Sequence, residues 1–188
     1  MFTSTTLKIG VWNAWIFMSV FILQMIVIMF ADKRVSKRSH VPKDARQTSL
    51  EKSIGFIATI AWLLALGYSI FLPLLLGTIW FYIGFSIFIF GTLLLSFATY
   101  SFITAQIDQV IQKGVYTFSR HPMYLAIFLI CIGSGIATAS WVLIILSVII
   151  AICFSYEARL EERYCQKIYG DLYKKYMDKV PRWLGMPN

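Results

Sequence analysis

Three stretches without a charged residue constrain this chain more than any other feature. They cover residues 9–31, 53–107 and 122–156 of a 188-residue sequence. A helix needs about 20 apolar residues to cross the hydrocarbon core of a bilayer. The first run therefore holds one span and the second holds two. The third holds two only if both are short or continue into the charged flanks. Five spans is the most economical count, and the chain reads as one all-α integral membrane domain. Composition agrees: 59% of residues are hydrophobic and 14% charged, against about 45–50% and about 25% in soluble domains.

The basic residues give the spans a direction. Seven lie between the first two runs, from Lys33 to Lys52; Lys113 and Arg120 lie between the second and third; seven more, from Arg159 to Arg182, follow. With five spans all of these fall on one side, and only Lys8 falls on the other. Basic loops stay in the cytoplasm. The expected topology has the N-terminus outside, the C-terminus in the cytoplasm, and every Asp and Glu on the cytoplasmic face. The net charge of +8 is then explained by topology and anionic lipid, which leaves nucleic acid out as a partner. The first run is longer than a signal peptide and lacks the basic leader and small-residue cleavage site of one. Cys131, Cys153 and Cys165 match no metal-site spacing and read as small buried hydrophobes.

The expected spans are 8–30, 53–72, 79–105, 122–136 and 141–156. The first three, with the basic connection 32–52, form residues 1–105; the hairpin and tail form residues 106–188. The last span is too short for the bilayer alone, so either its helix continues through residues 157–163 or the hairpin does not cross fully. Gly84 and Gly91 are seven apart, on nearly one helical face, where they permit close helix contact. The tail reads as an interfacial amphipathic helix broken near Gly170. Residues 180–184 are expected to fold back on the membrane surface, and the tail can also serve as a lid.

Residues 114–124 form a polar island between apolar runs: Gly114, Tyr116, Arg120, His121, Pro122, Met123 and Tyr124 stand here. Arg120 is either a topological anchor that snorkels to headgroups or a planar binder of carboxylate or phosphate. His121 is either a hydrogen-bonded structural residue or a catalytic one. Glu161 and Glu162 sit where the helix dipole disfavours carboxylates, which implies a cationic partner: Arg159, Arg163 or a bound cation. Because the last two spans are antiparallel neighbours, these carboxylates should approach Arg120 and His121. Tyr116 and Tyr124 offer ring faces to a cation. Anion binders, carboxylates and aromatic faces together suit a zwitterionic cofactor that carries a cation. No metal site is read.

The ordered set Gly114-x-Tyr116-x3-Arg120-His121-Pro122-x-Tyr124, then Glu161-Glu162, then Tyr169-Gly170-x2-Tyr173-x2-Tyr176-x3-Val180-Pro181 resembles the isoprenylcysteine carboxyl methyltransferases. These belong to a wider group of membrane methyltransferases that includes phospholipid N-methyltransferases. The resemblance covers residues 104–184. It implies a cytoplasm-facing site for S-adenosyl-L-methionine, with S-adenosyl-L-homocysteine as product. By that resemblance the cofactor residues are Asp108, Val110, Ile111, Tyr116, His121, Pro122, Met123, Tyr124 and Glu161; the charge reading adds Arg120, to hold the cofactor carboxylate, and Glu162. Arg120, His121 and Glu161 are the catalytic candidates. In eukaryotic members an arginine implicated in substrate binding precedes the first glutamate by four positions. Here Glu157 holds that position and Arg159 is the nearest arginine, so these two are the substrate-binding candidates. Asp108 stands where the family has a histidine.

The reading that follows is methylation of a lipophilic acceptor, a carboxylate such as a C-terminal isoprenylcysteine, entering from the bilayer of the cell membrane. The alternatives are phospholipid amine N-methylation, a sterol-type reductase using a nicotinamide dinucleotide, and a non-enzymatic membrane scaffold.

Overall fold

The computed structural model describes residues 7–30, 48–106 and 109–185. Among them the architecture is helical: α1 Trp15–Phe30, α2 Ser49–Ser69, α3 Ile79–Ile103, a short 3-10 turn Gly114–Thr117, α4 Pro122–Ala137, α5 Trp141–Tyr169 and α6 Asp171–Lys179. α2, α3 and α5 are long and apolar enough to cross a membrane, while α1 and α4 are shorter apolar helices. Most of the basic connection 32–52 lies outside the described residues.

Local chemistry sets the boundaries. α2 opens four residues ahead of the expected start, because Thr48 and Glu51 form a capping box. The Thr48 hydroxyl accepts from the Glu51 amide at 3.2 Å, and the Glu51 carboxylate accepts from the Thr48 amide at 3.1 Å. Two orphan donors are thereby satisfied, and the charged first turn is tolerated. The Thr78 and Ser140 hydroxyls accept from the Phe81 and Leu143 amides and cap α3 and α5, each without a reciprocal carboxylate. Pro122 occupies the first turn of α4, where its missing N–H costs nothing.

The first helix differs from its expected extent of 8–30. It begins at Trp15, because residues 8–14 form a bent, non-helical segment against the turn between α2 and α3. The Lys8 and Ala14 amides donate to the Phe71 and Leu72 carbonyls, and the Leu74 amide donates back to the Trp12 carbonyl. Asn13, only 2% exposed, donates to the Lys8 and Ile70 carbonyls at 2.6 and 2.7 Å. A buried amide that meets two carbonyls pins the segment in a non-helical path.

α3 and α4 pack along their lengths, and α5 lies against both α2 and α4. The α3–α4 seam is built on glycine. A Cβ placed on Gly84 would stand 2.3 Å from the Ala137 nitrogen, and one on Gly133 would stand 2.8 Å from the Gly84 oxygen. Gly91 meets Leu129 and Ile130 just as closely. The Gly84–Gly91 face is thus a helix contact in which backbones touch. Phe17 of α1 stacks on Phe88 of α3, with ring centroids 4.0 Å apart.

α5 has 29 residues, about 43 Å at 1.5 Å per residue, well beyond a hydrocarbon core of about 30 Å. It continues through residues 157–163 as expected. Gly170, with φ +54°, ends α5 and reverses the chain into α6. Tyr173, Tyr176 and Val180 bury together against Val110, Cys165 and Tyr169. Residues 180–185 then return across residues 118–120.

Candidate active site

The site forms where the 114–121 connection meets the last turns of α5. Gly114 starts the connection at φ +63°, and a Cβ there would lie 2.4 Å from the Ser101 hydroxyl. The positive φ favours glycine, and any side chain there would also displace the Ser101 hydroxyl. Tyr116 is buried, and its carbonyl accepts from the Tyr176 hydroxyl at 2.7 Å. Burial raises the Tyr176 pKa, so the phenol keeps the proton that it donates. Ser119 orders the next step: its hydroxyl accepts from the His121 amide at 3.1 Å and donates to the Arg182 carbonyl at 3.2 Å. His121 is thereby held at the entrance of α4.

The charged groups form one network, in which the Arg120, His121 and Glu162 side chains are buried and those of Glu161 and Arg182 are about 30% exposed. Glu162, 3% exposed, is its hub. One Glu162 oxygen receives Arg120 Nη2 at 3.1 Å, His121 Nε2 at 3.2 Å and Arg182 Nε at 3.0 Å. The other oxygen receives Arg182 Nη2 at 2.6 Å. Glu161, one residue earlier, faces His121 Nδ1 at 3.3 Å and accepts from the Tyr124 hydroxyl. His121 thus has a carboxylate at each ring nitrogen. Burial alone would lower its pKa, but the hydrogen bonds to Glu161 and Glu162, reinforced by their charges, outweigh burial and raise it. Arg120 donates from Nη1 to the Met177 carbonyl at 3.1 Å. Its Nε is buried, with no hydrogen-bond partner among the described residues. Aromatic rings line one side: Tyr124 lies parallel to the His121 ring and stacks on Phe154, with Trp183 beside His121.

The other expected residues fall in several places. Glu157 is buried one turn before Glu161, close enough for its charge to act on Tyr124. Arg159 is exposed, with its guanidinium over the Tyr156 ring at 5.3 Å. Met123 packs into the main core and meets Gln24 of α1, while Pro122 is buried in the first turn of α4. Val110 and Ile111 line a cleft of about 1020 Å³ together with Gly114, Phe118, Tyr169 and Leu172. His121, Tyr124 and Glu161 do not border that cleft. A smaller cavity of about 140 Å³ lies instead at Tyr124, between Leu125 and Phe128 of α4, Phe154 of α5, and Trp183. Asp108 lies outside the described residues.

A family model for phospholipid methyltransferase matches residues 62–172. The chain belongs to the phospholipid methyltransferase family. A similar protein is the protein-S-isoprenylcysteine O-methyltransferase of Schizosaccharomyces pombe, 32% identical over 79 residues. That alignment takes in 42% of this chain and 33% of the relative, so it spans about a third of the relative's length. The phospholipid methyltransferase match contains Arg120, His121, Glu161 and Glu162, and it stops short of Arg182 and Trp183.

Those last two residues are the members of the site that the sequence pattern did not single out. Arg159 and Arg163 stand nearer in sequence as partners for the paired glutamates, yet Arg163 instead pairs with Glu51 of α2. The signal present in the sequence was the Val180-Pro181-Arg182 step. It placed a guanidinium just after the tail helix without saying where it points.

Proposed function

We propose that this protein is an S-adenosylmethionine-dependent methyltransferase acting on a lipophilic acceptor. The observation that carries the reading is the cluster of Arg120, His121 and Glu162, all with buried side chains, with the half-buried Glu161 beside them, in a chain of the phospholipid methyltransferase family. The residues present fit the cofactor. Its carboxylate calls for a cationic donor, and Arg120 retains a buried Nε–H without a partner among the described residues. Its amine, hydroxyls and sulfonium call for carboxylates and aromatic faces, which Glu161, Tyr116 and Tyr124 supply. When bound, it supplies an electrophilic methyl group for in-line displacement by the acceptor, with the electrons of the broken S–C bond left on sulfur.

The protein contributes orientation and a dry setting. Arg120 binds the cofactor carboxylate, Glu161 binds a cationic or hydroxyl group, and His121 holds Glu161 in place. Positioning of this kind is worth about 7–11 kcal/mol when reacting groups are well aligned. A carboxylate acceptor is already nucleophilic at neutral pH and needs no base. The apolar cavity at Tyr124, Phe128, Phe154 and Trp183 suits the lipophilic part of an acceptor arriving from the bilayer. The proposed topology has five spans, α1 to α5, with the N-terminus outside and the site facing the cytoplasm.

One observation favours a second acceptor class. Glu157 is a buried carboxylate one helical turn from Glu161. An amine acceptor must lose a proton, as in phospholipid N-methylation, and Glu157 would be the base in that reading. Two experiments separate the readings. Calorimetry with S-adenosylmethionine tests cofactor binding, and the reading fails if Arg120→Ala and Glu161→Ala both bind as the parent does. Transfer of labelled methyl to acetyl-farnesyl-cysteine or to phosphatidylethanolamine then identifies the acceptor.

A further inference from the structure

The residues after α6 do more than close the chain. Residues 180–185 run across residues 118–120, tied by the Arg120 amide to the Pro181 carbonyl at 3.1 Å and the Gly185 amide to the Phe118 carbonyl at 3.2 Å. The Ser119 hydroxyl adds a third tie at the Arg182 carbonyl. The main chain of Arg182 is thus held from the segment that carries Arg120 and His121, while its side chain reaches Glu162 on α5.

The contact at Glu162 has a particular geometry. Arg182 places Nε on one carboxylate oxygen and Nη2 on the other, at 3.0 and 2.6 Å. A planar fork on both oxygens of a carboxylate fixes its rotation as well as its position. Arg120 and His121 share only the first oxygen. The second is held by Arg182 alone among the described residues, through Nη2 and a longer Nε contact at 3.2 Å. Without the fork, the Glu162 carboxylate can turn about its last bond and present either oxygen to Arg120 or His121. The His121 ring, stacked on Tyr124 and facing Glu161 with its other nitrogen, then loses its fixed acceptor.

We propose that Arg182 is a positioning residue. Its guanidinium fork fixes the Glu162 carboxylate, and Glu162 in turn orients the Arg120 guanidinium and the His121 ring toward the ligand side of the site. The ligand's identity rests on the methyltransferase reading above; the orientation of His121 does not.

The test uses the full chain in detergent micelles, labelled with 15N-histidine. The chain has two histidines, so a His40→Gln background leaves the His121 ring as a single NMR signal. Solvent exchange of its Nε2 proton is measured without cofactor, and S-adenosylmethionine affinity is measured separately. Arg182→Met removes the whole fork and is expected to speed the exchange and to weaken cofactor binding, each by about tenfold or more, since one charge-assisted hydrogen bond alone is worth about tenfold. Arg182→Lys keeps the charge but not the fork and should fall between parent and Arg182→Met in both readouts. Glu162→Asp, which withdraws the carboxylate by one methylene, should speed the exchange as Arg182→Met does, and it serves as the test if Arg182→Met does not fold. The proposal is overturned if exchange in Arg182→Met, or in Glu162→Asp when that variant stands in for it, matches the parent. It is also overturned if Arg182→Lys equals the parent in exchange, since charge alone would then suffice. A parent protein that binds no S-adenosylmethionine, with exchange still accelerated in the variants, refutes the cofactor reading and supports the positioning role.

Discussion

His121 and Glu162 stand 3.2 Å apart although 41 residues separate them in the chain. The contact joins the entrance of α4 to the projecting end of α5, and both side chains are buried. With Glu161 on its other ring nitrogen, His121 is the point at which the two helices exchange charge.

This contact sets a pH dependence. Burial works against the imidazolium, but Glu161 and Glu162 outweigh it and raise the His121 pKa in the folded protein. A raised value means that the native state holds the proton more tightly than the unfolded chain does. The stabilisation is fully present below the unfolded value of about 6.5 and is lost as pH rises through the folded value. Thermal unfolding in micelles, scanned from neutral to alkaline pH, should show a falling midpoint in the parent. The His121→Gln variant should show a shallower fall over the same range.

Gly84 makes a second prediction. A methyl group there would lie 2.3 Å from the Ala137 nitrogen and 2.5 Å from the Gly133 oxygen, both backbone atoms that cannot step aside. Gly84→Ala should destabilise the α3–α4 pair by about 1–3 kcal/mol through overpacking. Gly67, on α2, has open space where its Cβ would go. Gly67→Ala should be neutral or stabilising by up to about 1 kcal/mol, from helix propensity alone. Denaturant titration of both variants in the same micelles measures the contrast, and equal losses would contradict it.

Asn13 makes a third. Its amide donates to the Lys8 and Ile70 carbonyls and is almost fully buried. Asn13→Leu fills similar space but leaves both carbonyls without that donor, at a cost of about 1–3 kcal/mol. Hydrogen exchange should then report faster opening of the Lys8 and Ala14 amides, which bond to residues 71 and 72. The α4–α5 amides should be unaffected.

What the sequence determined by itself was whatever depends on neighbours along the chain. The charge-free runs located the long apolar helices, since hydropathy and length are local properties. Pro122 marked the start of α4, and the shortfall of the last apolar run pointed either to a helix that continues through residues 157–163, which α5 does, or to a hairpin that does not cross fully. The seven-residue spacing of Gly84 and Gly91 placed them on one face, and the structure shows that face in backbone contact with α4. The approach of Glu161 and Glu162 to Arg120 and His121 followed from an antiparallel hairpin.

Only the tertiary structure decided the rest. Residues 8–14 leave the helix because Asn13 finds carbonyls at Lys8 and, 57 residues away, at Ile70. Helical periodicity cannot anticipate such a partner. Glu162 pairs with Arg182 rather than Arg163, because Gly170 turns the chain at positive φ and the tail returns across residues 118–120. A guanidinium's partner depends on where the backbone carries it, and that path is set by a single glycine and a few buried tyrosines. Val110 and Ile111 line a cleft separate from Tyr124 and Glu161 for the same kind of reason. Tyr116 is held by Tyr176 from the tail, an arrangement that exists only once α6 has packed.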